Sequence, residues 1–62
     1  MTKNEAALET VNTMISELEA LGLVSDLGIG QGVKGQYCAM ALNGLKKMAG
    51  EITREINAGK EW

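Results

Sequence analysis

Apolar residues recur along the first third of the chain at helical spacing: Ala7, Leu8, Val11, Met14, Ile15, Leu18 and Leu21, with no proline or interior glycine among them. On a wheel at about 100° per residue they fill an arc of about 140°. Glu9, Asn12, Ser16, Glu17 and Glu19 fall outside it. Thr2-Lys3-Asn4-Glu5 has the T-x-x-E spacing of a capping box, and Gly22 stands where a C-terminal capping glycine belongs. The pattern predicts a first helix over residues 3–21. A second pattern runs from Gln36 to Ala58, ahead of Gly59. Cys38, Leu42, Leu45, Ala49, Ile52 and Ile56 follow a 4-3-4-3-4 spacing, widened by Ala41 and Met48 and bordered by Tyr37. Gly44 and Gly50 each cost this second helix about 1 kcal/mol of propensity. Either they admit the close approach of another backbone or they are tolerated surface positions.

Between the helices lies a glycine-rich segment, residues 22–35. Leu27, Ile29, Gln31 and Val33 alternate there with Gly28, Gly30, Gly32 and Lys34, the side-chain period of an extended strand. The bare glycine face would let such a strand lie against a helix. A flexible loop is the alternative.

Two helices with faces this wide cannot cover each other. The expected architecture is mainly α, a single helical-hairpin domain over residues 1–62 that pairs with a second copy. The predicted result is an intertwined homodimer with a four-helix core built on Leu8, Val11, Ile15, Leu18, Leu42, Leu45, Ala49, Ile52 and Ile56. Leu27, Ile29 and Val33 would form an inter-chain strand, paired with the two-fold mate that supplies its missing hydrogen bonds.

Length reinforces this expectation. In a chain of 62 residues, ordering costs roughly 1.5 kcal/mol per residue, and a single core of that size is marginal. One Cys excludes an internal disulfide, and the absence of His leaves no ordinary zinc site. Association with another chain is the remaining means of stabilisation. A hydrophobic content of 45% argues against a disordered tail. No apolar run approaches the ~18 residues of a membrane span, and no secretory signal pattern opens the chain. The lone Cys fits a reducing compartment, so the expected location is the cytoplasm.

Net charge is −2, with a sequence pI near 4.9, giving no bulk attraction to nucleic acid. The charge is uneven: one Lys against five acids in residues 1–31, then five basic residues against three acids in 32–62.

Candidate chemistry is sparse. Gly30-Gln31-Gly32-Val33-Lys34-Gly35 matches the G-x-G-x-x-G string of dinucleotide folds, but that mechanism needs a preceding buried strand and a βαβ unit. Gly32–Gly35 imitates the G-x-x-G loop of a KH domain without its sheet. With no His, and with Cys38 on the apolar face, no conventional nucleophile–base pair can be built. Glu17/Glu19 and Glu51/Glu55 read as solvated helix faces. The expectation is a non-enzymatic protein without cofactor or metal. Met14, Met40, Met48 and Trp62 are candidates for a cleft accepting a protein partner. The alternative is a nucleic-acid face on the second helix, formed by Asn43, Lys46, Lys47 and Arg54.

The opening Met1-Thr2-Lys3-Asn4-Glu5 and the run SDLGIGQGVKGQYCAMALNGLKKM, residues 25–48, resemble a family of small early proteins encoded between the recombination and excision genes of lambdoid temperate phages. The likeness extends over nearly the whole chain. It implies an intertwined homodimer of two helices and a short strand per chain. It also implies a role in favouring lytic over lysogenic development through a host or phage protein partner. No active-site residues follow from it.

Overall fold

The computed structural model describes residues 2–60. Two helices, α1 (Lys3–Ala20) and α2 (Gly32–Asn57), fold back on each other as a hairpin. The 26 residues of α2 rise about 39 Å, which accounts for a particle 40 Å long and 16 Å across. At the start of α1 the capping box is complete. Thr2 Oγ1 accepts from the Glu5 N–H at 3.1 Å, and Glu5 Oε1 accepts from the Thr2 N–H at 3.0 Å. These bonds hold the Glu5 carboxyl below its ordinary pKa, the Thr2 backbone N–H being the larger cause. Leu21 caps α1, and Gly22 follows at φ 68°.

The far end of α2 closes with a Schellman arrangement. Gly59, at φ 75°, donates to the Ile56 carbonyl, and Lys60 donates to Glu55, both at 3.0 Å. The turn directs the Lys60 carbonyl back toward α1, where Asn4 Nδ2 donates to it at 3.3 Å. Asn4 is the most enclosed side chain described, 1% exposed.

In the single chain described, residues 27–33 do not run as one strand, and α2 starts earlier than the pattern predicts. Instead the chain turns tightly on itself: Ser25 N–H donates to the Ile29 carbonyl and Gln31 N–H to the Leu23 carbonyl, each at 2.9 Å, with one antiparallel bridge between Val24 and Gly30. The pairing partner is the chain's own Leu23–Ser25, made reachable by the turn at Gly28, whose N–H donates to the Ser25 carbonyl at 2.9 Å. Leu27 and Ile29 project outward, exposed. Val33 belongs to α2, which begins at Gly32 rather than Gln36 because the Gln31 carbonyl already accepts the Gly35 N–H at 3.2 Å.

The bare glycines do bring this loop onto a helix. A Cβ on Gly30 would overlap the Gly35 carbonyl and stand 2.5 Å from the Gln36 nitrogen, while one on Gly35 would stand 2.7 Å from the Leu23 oxygen. Only the absence of side chains lets the loop seat on the first turn of α2.

Candidate functional site

The predicted apolar faces meet each other, but they enclose little. Among the described residues, Val11, Cys38 and Leu42 are the buried apolar side chains, at 5%, 6% and 4% exposure. Leu8, Ile15, Leu18, Leu45, Ala49, Ile52 and Ile56 are each only partly covered. Cys38 is a free thiol inside the hairpin, its Sγ 3.8 Å from the Leu18 carbonyl oxygen. It packs as a small apolar side chain.

The two flanks of the hairpin differ in character. On one flank the loop and α2 form a polar cleft lined by Glu19, Ser25, Asp26, Asn43 and Lys46, among others. Lys46 Nζ stands 3.7 Å from Glu19 Oε2, joining the acidic and basic halves of the chain. With both side chains more than half exposed, the pair contributes at most a few tenths of a kcal/mol.

The opposite flank is apolar. Met14, Leu18 and Leu21 of α1 and Leu45 of α2 line a shallow depression beside Glu17. Next to it, Tyr37, Met40, Ala41, Gly44 and Met48 occupy about 100° of the α2 surface, adjoining the Leu45–Ile52 edge of its inward face. Each of these five is exposed.

The predicted partner cleft is thus brought together in part. Met14 lines the depression and exposed Met48 lies about 60° around α2 from Leu45, whereas exposed Met40 lies about 140° from it; Trp62 lies outside the described residues. The residues of the alternative nucleic-acid face, Asn43, Lys46, Lys47 and Arg54, are all exposed and share about 100° of the α2 surface. Lys46 stands beside Glu19, and Asn43 lines the polar cleft.

The chain exposes 4687 Å², against about 3,900 Å² for a compact monomer of 6.6 kDa, in keeping with its elongated shape, 40 Å by 16 Å by 16 Å. Exposed Met14, Leu21 and Met48 make the apolar flank the principal candidate.

The string Gly30–Gly35 is occupied by packing. Its first and last glycines are pressed together, backbone to backbone, which is a structural use of both. Among the described residues no three His, Cys, Asp or Glu side chains cluster as a metal site would require. No helix among them is long and apolar enough to cross a membrane.

Sequence reasoning missed Asn4. Its signal was legible: Asn4 stands four residues before Leu8 and seven before Val11, on the inward face of α1. Comparison with known proteins returned no matching family model, no matching characterised protein and no matching solved structure.

Proposed function

We propose that this chain is a non-enzymatic protein-interaction module that works as a homodimer. The observation that carries this reading is the exposed apolar flank, with Met14, Leu21 and Met48 in water beside a core that, among the described residues, buries Val11, Cys38 and Leu42. Closing Leu18 and Leu45 against a second hairpin supplies the burial that a single copy lacks, at about 25 cal/mol per Å² of apolar surface. A four-helix interior results, with the wide apolar arcs of α1 and α2 on its inside.

The biological setting follows the resemblance in residues 1–5 and 25–48. The homodimer is an early phage protein of the host cytoplasm that favours lytic development by contacting a host or phage protein. The absence of His from the chain accords with a role by contact rather than by catalysis. Expressing the chain in bacteria infected by a temperate lambdoid phage tests this role. Wild type should raise the lytic fraction, and Leu45→Asp, which charges the apolar flank, should abolish the effect. An unchanged lytic fraction with wild type, expressed and folded, contradicts the proposed role.

A further inference from the structure

The outward surface of α2 carries a stripe of cations and amides. Gln36, Asn43, Lys46, Lys47, Arg54 and Asn57 are all exposed and fall within about 100° of the helix. No Asp or Glu shares that arc, and Ala39 is its largest apolar member. Its centre lies about 90° and 130° around α2 from the buried side chains Leu42 and Cys38. Gln36 and Arg54 stand on one line, five turns and about 27 Å apart. Lys46 borders the stripe 3.7 Å from Glu19, whereas Lys47 and Arg54 pair with no carboxylate among the described residues.

We propose that this stripe binds the phosphate backbone of duplex DNA, a contact independent of the homodimer proposed above. Leu45 and Met48 of the apolar flank lie at least about 100° around α2 from its nearest edge, so one contact does not cover the other. Charge complementarity names the occupant. Lys and Arg meet phosphate oxygens, and Gln and Asn add neutral donors that reach phosphates and base edges. A protein partner would need aromatic or large apolar anchors, and lysine is depleted from such interfaces. The stripe has the opposite composition. A net charge of −2 for the whole chain does not cancel it locally. Glu9, for example, sits about 160° around α1 from buried Val11, on the outer side of a particle 16 Å across. That width is twice the ~8 Å over which charges are screened at physiological ionic strength. The length of the stripe, about 27 Å, fits within one ~34 Å turn of the duplex.

Fluorescence anisotropy of the full chain with a labelled DNA duplex of about two helical turns, between about 50 and 200 mM salt, tests this. Neutralising about two to three phosphates per copy should give a log–log salt slope of about −2 to −3, a loss of affinity of about 10- to 40-fold over that range. The paired variant Lys47→Gln/Arg54→Gln should bind at least about tenfold more weakly at the lower salt and flatten the slope by about 2. The charge-matched pair Lys3→Gln/Lys34→Gln, at exposed positions outside the stripe, should change neither. Circular dichroism confirms that each variant keeps its helices. No binding of wild type at the lower salt, or an equal loss in both paired variants, overturns the proposal. Binding of polyglutamate in place of the duplex, lost in Lys47→Gln/Arg54→Gln, overturns it in favour of an acidic protein partner. Salt-sensitive binding of the duplex by a monomeric wild type would support it while removing the homodimer.

Discussion

The same chemical change at two glycines should move stability in opposite directions. Gly30 and Gly50 both lack side chains, but a Cβ on Gly30 would overlap the Gly35 carbonyl while one on Gly50 would meet nothing within 4 Å. In Gly30→Ala the obstruction is backbone on both sides, so no rotamer change relieves it. The loop has to lift from the first turn of α2, endangering the Gln31–Leu23 and Ser25–Ile29 hydrogen bonds and the Val24–Gly30 bridge. Two backbone bonds at ~1 kcal/mol each, with some lost packing, give about 2–3 kcal/mol. The reduced freedom of the unfolded chain offsets less than ~1 kcal/mol of that. Gly50→Ala removes only a propensity penalty and should stabilise by about 1 kcal/mol. For a chain of this size the midpoints should fall by roughly 10–20 °C and rise by roughly 4–8 °C respectively. Thermal unfolding followed by helical ellipticity, at matched protein concentration because association shifts the midpoint, would measure both. A Gly30→Ala midpoint equal to wild type would refute the docked loop.

Two further perturbations probe the ends of the hairpin, and they should respond to pH with opposite sign. Glu5 has its pKa lowered by the Thr2 N–H in the folded state, so its contribution is present above the unfolded carboxylate pKa of about 4.3 and is lost as pH falls through the folded value. Acid titration of helicity should show that loss in wild type and not in Glu5→Gln; identical acid profiles would remove the capping box as a source of stability. Asn4→Asp replaces the donor to the Lys60 carbonyl with a buried carboxylate. Burial disfavours its charged form, so the variant should be destabilised at neutral pH and partly recover as the carboxyl protonates. Urea midpoints at pH 7 and pH 4, compared with wild type, check this, and a variant equally stable at both would mean that Asn4 is not enclosed.

The helices were legible because their signals are local. Thr2 and Glu5 specify the start of α1 within one turn, and Gly22 and Gly59 each stand one residue beyond a helix cap. The loop was not, since alternation of apolar residues with glycine fits a strand, whereas the chain formed a turn with a helix start. What decided between them was contact between residues distant in sequence. Gly30 rests on Gly35 only once α2 exists, and Ser25 reaches Ile29 only around the turn at Gly28. Asn4 escaped notice for a similar reason. Its acceptor, the Lys60 carbonyl, is 56 positions away and is aimed by the turn after α2. The apolar flank was legible in outline, because arcs of about 140° on both helices exceed what two helices can cover. Its sidedness was not, because it depends on which edge of each arc the hairpin leaves open.

The claim on which the functional account depends is that a second copy covers that flank. Sedimentation equilibrium of the full chain measures it most directly. The account predicts a mass of twice 6.6 kDa, falling toward the monomer value on dilution together with helicity. A particle of 6.6 kDa at every concentration, with full helicity retained, would contradict it.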